Sequence, residues 1–206
     1  MTATTPTTPC HSTQSEVDDL VLDVLPQQGQ WSEEAYLWLT DRTNRLVELT
    51  DGYLEVLPMP TDRHQTVLVF VYELLVVFLR PMGGKVLVAP LRLRIRPRKF
   101  REPDLLLLCD AKDPRRQDRY WRGADLVLEV VSPERPEYDL IEKRRDYAEL
   151  GIPEYWIVDP QAETITVLRL EGGAYGEHGV FGRGTVAESP LLPGLTVSVD
   201  AVFDAD

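Results

Sequence analysis

Cysteine is scarce in this chain: two residues among 206, Cys10 and Cys109, far apart and without metal-ligand neighbours. That excludes a disulfide framework or a cysteine-based zinc site. Positive charge is also short, with 22 Lys and Arg against 34 Asp and Glu and a formal net charge of -12. No global field steers such a chain toward nucleic acid, so any contact of that kind has to rest on local basic clusters. Long apolar runs are missing too. The longest, Val67 to Leu79, is interrupted by Glu73 and falls short of the roughly 20 residues of a membrane span. The N-terminus has neither the basic start nor the apolar core of a signal peptide. A soluble, cytoplasmic protein with no membrane partner is expected.

What is present suits one globular domain. Residues 1–17, rich in Thr, Pro and Ser, lack apolar periodicity and are expected to be a disordered tail, with 18–206 as a single domain. Ser32 before Glu33-Glu34 reads as a helix cap. Asp51-Gly52 supplies the positive φ angles of a hairpin turn between Leu46–Thr50 and Tyr53–Leu57. A long helix is predicted from Asp62 to Arg80, apolar almost all round and so expected to lie buried beneath a sheet. Lys85–Pro90 and Leu91–Arg96 read as strands. Leu105–Cys109 and Leu126–Val131 are near-continuous apolar runs, the pattern of central strands covered on both faces. A helix over Tyr138–Leu150, ending at Gly151, precedes further strands at Tyr155–Val158 and Glu163–Leu170. The order of elements defines an α/β fold, a mixed sheet with flanking helices.

Glu129 stands among aliphatic neighbours, where an unpaired carboxylate costs several kcal/mol, roughly, so it must meet a cation or change protonation state. Pairing with an arginine is the structural alternative. Asp104 opens the other central strand after Pro103. Two acids converging from central strands suit a hard divalent cation such as magnesium. On the 138–150 helix, Leu140, Ile141, Tyr147, Ala148 and Leu150 form one apolar face, with Glu142, Arg145, Asp146 and Glu149 opposite in solvent. Lys143 and Arg144 fall inside the apolar arc. Lys143 is either functional or a lysine that snorkels to water, and Arg144 is expected in a structural ion pair.

Arg92, Arg94, Arg96 and Arg98 alternate with apolar residues, and Lys99 and Arg101 extend the run to Pro103-Asp104. One strand would set those arginines on a single face beside the acids, a candidate DNA-contacting surface. A solvated face pairing with the acidic surface is the alternative.

Taken together, Pro103-Asp104, Glu129-Val130-Val131-Ser132-Pro133, Lys143, Tyr147 and the run Gly151 to Asp159 resemble the Uma-two family of restriction endonucleases, within the PD-(D/E)XK nuclease superfamily. Glu48-Leu49-Thr50-Asp51-Gly52, His64-Gln65 and Leu192-Pro193-Gly194-Leu195 fit the same pattern, so the resemblance spans Trp31 to Phe203. It implies a restriction-endonuclease-like mixed β-sheet flanked by α-helices. It also implies an endonuclease acting on DNA, with Asp104 and Glu129 binding magnesium. The superfamily's lysine two places after the glutamate is absent, Val131 standing there, and Lys143 would replace it. Glu48 could add a third metal-binding carboxylate, or be a half-exposed strand residue. His64 could carry a proton or touch phosphate, or simply make a polar contact near the surface. By analogy with nucleases that cut both strands, a homodimer is expected. Two other functions stay open: a nuclease-fold protein that binds nucleic acid or protein without useful catalysis, and a hydrolase of a smaller phosphoester.

Overall fold

The structure is a computed structural model that describes residues 13–15, 24–132 and 138–206. Most of the tail expected over 1–17 lies outside those residues. Helix α1 (Glu33–Thr40) starts at Ser32, whose side chain accepts the Ala35 amide at 3.1 Å. Strands β1 (Val47–Thr50) and β2 (Tyr53–Val56) pair across Asp51-Gly52, at φ 51° and 93°. A Cβ on Gly52 would fall 2.4 Å from the Gly29 carbonyl oxygen, and the Gly29 amide donates back to the Gly52 carbonyl at 2.7 Å. Gly52→Ala is therefore expected to cost about 1–3 kcal/mol, through backbone strain and that clash. Urea unfolding would reveal it, and an unshifted midpoint would contradict the strain.

Helix α2 (Asp62–Leu79) is capped by Thr61 and runs through a 3-10 turn, Arg80–Met82, to Gly83. Burial all round does not hold. Val67, Leu68, Val71, Leu75 and Leu79 are buried, but Val69 is 49% and Val77 75% exposed, because the sheet covers only one side of the helix.

Strands β3 (Lys85–Val88), β4 (Leu93–Arg96), β5 (Lys99–Arg101), β6 (Leu105–Leu108) and β7 (Leu126–Val130) follow. The expected single basic strand is broken at Pro97-Arg98, with Arg98 at φ 61°, and β4 folds back antiparallel on β5. A π-helical turn, Tyr138–Lys143, leads into helix α3 (Arg144–Leu150), which Gly151 ends at φ 80°. Strands β8 (Glu154–Asp159), β9 (Thr164–Glu171), β10 (Ala174–Phe181), β11 (Val186–Glu188) and β12 (Thr196–Ser198) and helix α4 (Val199–Phe203) complete the chain.

The main sheet runs β10-β9-β8-β7-β6-β3, and a four-stranded sheet runs β2-β1-β5-β4. β7 and β8 are parallel and their connection carries α3; the other pairs in the main sheet are antiparallel. The fold is thus α/β, a mixed sheet flanked by helices. Period-two alternation splits the central strands between two cores. Leu105, Leu107, Leu126 and Leu128 pack with the buried side of α2. Leu106, Leu108 and Val127 pack with Tyr147, Ile152 and Trp121. Each such side chain, once buried, contributes about 1.5–3 kcal/mol.

Candidate active site

The register that sets Leu105 opposite Leu128, continued by one step, sets Asp104 opposite Glu129. The link is physical: the Asp104 amide donates to Glu129 Oε2 at 3.3 Å, and the Val130 amide donates to Asp104 Oδ2 at 2.8 Å. Each acid is thus tied to the other's strand.

Glu129 is 1% exposed, and its cation is a lysine rather than an arginine. Lys143 Nζ lies 2.9 Å from Glu129 Oε2, and the Tyr147 hydroxyl donates to Oε1. Lys143 and Tyr147 sit four apart, where a helix presents neighbouring side chains on one face. Burial, followed by the Glu129 charge, pushes the Tyr147 phenol well above its usual pKa. It stays a proton donor at any physiological pH. Lys143 itself is buried, so it does not snorkel to water.

His64, in the first turn of α2, places Nε2 3.1 Å from Asp104 Oδ2. Burial alone would raise the Asp104 carboxyl. The hydrogen bond and charge of His64, with the Lys143 charge, outweigh it and hold that carboxyl below the ordinary range. Asp104, Glu129, Lys143 and His64 all line one cleft of about 370 Å³.

Glu48 does not join them. It is fully buried and absent from the cleft wall. Arg101 lies 3.2 Å from its Oε2, and its Oε1 accepts the Glu102 amide at 3.0 Å. The acid that does reach the cleft from this region is Glu102, which the sequence reading missed because an acid before Pro103 resembles any strand-entry residue. Its Oε2 accepts the Val47 amide at 2.9 Å. Burial and the neighbouring Glu48 charge push the Glu102 carboxyl up to about 7.

That shift has a sign. Between about 4.5 and about 7 the folded chain holds a proton that the unfolded chain has released, so its contribution to stability falls as pH rises through that window. Glu102→Gln keeps an acceptor for the Val47 amide but cannot ionise. Its stability relative to the parent should rise by roughly 3 kcal/mol between about pH 5 and about pH 8, from about 1.4 kcal/mol per pKa unit. Urea unfolding at both pH values measures it, and a pH-independent difference would disprove it.

The basic run is not an open surface. Lys99 and Arg101 are 4% and 2% exposed and both grip Asp146. Arg92 pairs with Asp41 at 2.8 Å and Arg94 with Glu33 at 2.9 Å. Arg96 pairs with Asp51 at 2.6 Å and Glu149 at 2.9 Å. Arg98, within the turn, donates to the Asp51 carbonyl. The acidic surplus thus draws in Arg92, Arg94, Arg96, Lys99 and Arg101, which corrects the expectation of DNA contact for these five, while Arg98 stays exposed. Asp146, placed in solvent by the helical wheel, is fully buried, and Ile141, placed in the core, is 64% exposed. Ile141 lies across the π-helical turn, whose extra residue shifts the angular phase, and β5 covers the Asp146 side of α3. Among the described residues, Arg144 donates to the Tyr175 carbonyl and to no carboxylate.

Among the described residues, no three His, Cys, Asp or Glu side chains are arranged to hold a metal by themselves. Two hard carboxylates still fit magnesium, which usually takes one or two from the protein and completes its shell with water and phosphate oxygens.

Two acids at the ends of neighbouring central strands of a mixed sheet, with a lysine from the helical segment that follows, define a restriction-endonuclease-like α/β protein. The comparisons agree. The Uma2 family, described as "Putative restriction endonuclease", matches residues 33–200, and the chain belongs to that family. Membership supports nuclease function in general. No curated protein matches. Among solved structures, the chain is similar to "a putative nuclease belonging to DUF820 from Anabaena variabilis ATCC 29413", with a TM-score of 0.71 and 18% identity, over 84% of this chain and 98% of that one. At that identity the likeness carries the fold alone.

Proposed function

We propose that the chain hydrolyses phosphodiester bonds in DNA as a magnesium-dependent endonuclease. One observation carries this reading above the rest: Glu129, 1% exposed on a central strand, meets Lys143 and the Asp104 amide at the wall of an open cleft. A purely structural acid would be sealed in the core, as Glu154 is by Trp156, Ser189 and the Leu191 amide.

Asp104 and Glu129 would hold the magnesium ion, which when bound polarises a phosphate oxygen and makes its water more acidic. Lys143 offers a positive charge to the phosphate oxygens on which charge builds as water attacks phosphorus and gives up its proton to bulk solvent. Tyr147 fixes the Glu129 carboxylate, and His64 supplies a proton to the departing sugar oxygen as the P–O bond breaks.

The test is cleavage of plasmid and oligonucleotide DNA with and without magnesium. Asp104→Asn, which keeps the side-chain shape, should abolish cutting while circular dichroism stays unchanged. Full activity in that variant would overturn the assignment. The paired arginines favour a second reading, a nuclease-fold protein that binds without cutting. DNA binding with no cleavage under magnesium or manganese would select it.

A further inference from the structure

The cleft lining is mixed. Asp104, Glu129, Glu102, Glu73, His64 and Lys143 make it polar, and a set of apolar side chains makes up much of the rest. Helix α2 contributes Leu68, Val69 and Tyr72 to it, spaced as one helical face, and Met59 and Val88 join them in the lining. Val69, Met59 and Val88 are 49%, 78% and 36% exposed and so open to solvent, while Leu68 is buried in the core beneath them.

A duplex held along its backbone needs a track of phosphate-binding cations. Among the described residues Lys143 is the one Lys or Arg in the cleft lining, and Glu73 and Glu102 share that lining. Arg92, Arg94, Arg96 and Arg101 are engaged by Asp41, Glu33, Asp51 and Asp146. A second phosphodiester strand would meet carboxylates. The cleft is instead sized for a small ligand, about 370 Å³ within the usual range of roughly 300–1,000 Å³. Its single Phe, Tyr or Trp among the described lining residues is Tyr72. Apolar side chains around one aromatic ring suit the face of an unstacked base, and Lys143, together with a divalent cation on Asp104 and Glu129, would suit the phosphate beside it.

We propose that the site takes an unpaired nucleotide of single-stranded DNA, its base against Tyr72, Val69 and Met59 and its phosphate at Asp104, Glu129 and Lys143. This rests on the nuclease reading above and narrows its substrate.

The experiment uses the full chain with a short fluorescein-labelled oligothymidylate, alone or annealed to its complement. Cleavage is followed in magnesium, and binding by anisotropy in calcium. The single strand should bind and be cut at least about tenfold better than the duplex. Tyr72→Ala should raise its KM about tenfold, the size of one base-stacking contact, and Tyr72→Phe should restore it. Met59→Ala, at an exposed position that does not endanger folding, should raise KM severalfold. Equal cutting of duplex and single strand, unmoved by Tyr72→Ala, overturns this inference and leaves hydrolysis standing. Single-strand binding that depends on Tyr72 without any cleavage overturns hydrolysis and leaves the inference standing. Failure to bind or cut either form overturns both.

Discussion

Lys143→Met should reduce DNA cleavage by about 100- to 1,000-fold, the usual cost of removing one charge-stabilising donor from an active centre. Methionine keeps most of the unbranched stem and deletes the ammonium 2.9 Å from Glu129 Oε2. The substitution also strands a buried carboxylate, and breaking such a pair from one side costs about 3–5 kcal/mol. Lost activity alone would therefore not separate chemistry from folding. The double variant Lys143→Met, Glu129→Gln removes both charges, while the new amide oxygen can still accept the Tyr147 hydroxyl. It should recover most of the lost stability in urea and stay inactive. Activity returning with stability would show that Lys143 serves only to neutralise Glu129.

The largest stability loss is expected from Asp146→Ala. Asp146 is fully buried and binds two cations that are themselves buried. Arg101 reaches its Oδ2 through Nε at 2.8 Å and through a terminal nitrogen at 2.6 Å, and Lys99 holds Oδ1. Removing that carboxylate leaves Arg101 with Glu48 at 3.2 Å and Lys99 with Glu149 at 3.7 Å, against a cost of about 3–5 kcal/mol. For a domain of this length that lowers Tm by about 10 °C. Asp146 sits three residues after Lys143 and next to Tyr147, so the clamp also fixes the helix that carries both. Activity should fall well below the melting transition. A Tm within about 2 °C of the parent, measured by calorimetry, would mean that the cluster is replaceable by water.

Much of this was legible in the amino-acid order. Asp51-Gly52 marked the hairpin, because only a turn with left-handed residues suits that pair. The leucine runs marked the central strands, because strands covered on both faces have no room for polar alternation. Glu129 was conspicuous for the same reason, as a charge where desolvation is most costly. Its partner could not be chosen from spacing, since a lysine and several arginines were all within plausible reach.

The chain's own order determined its elements, its central strands and the oddity of Glu129 among aliphatic residues, because each follows from local geometry and desolvation. Tertiary structure alone decided which charges meet. It brought Asp104, Glu129, Lys143 and His64 to one cleft, left Glu48 behind Arg101, and turned Lys99, Arg101 and Asp146 inward. Electrostatic pairing acts across space within a few ångströms, and the residues concerned lie from 14 (Glu129 and Lys143) to 53 (Glu48 and Arg101) positions apart. No window along the sequence contains that proximity.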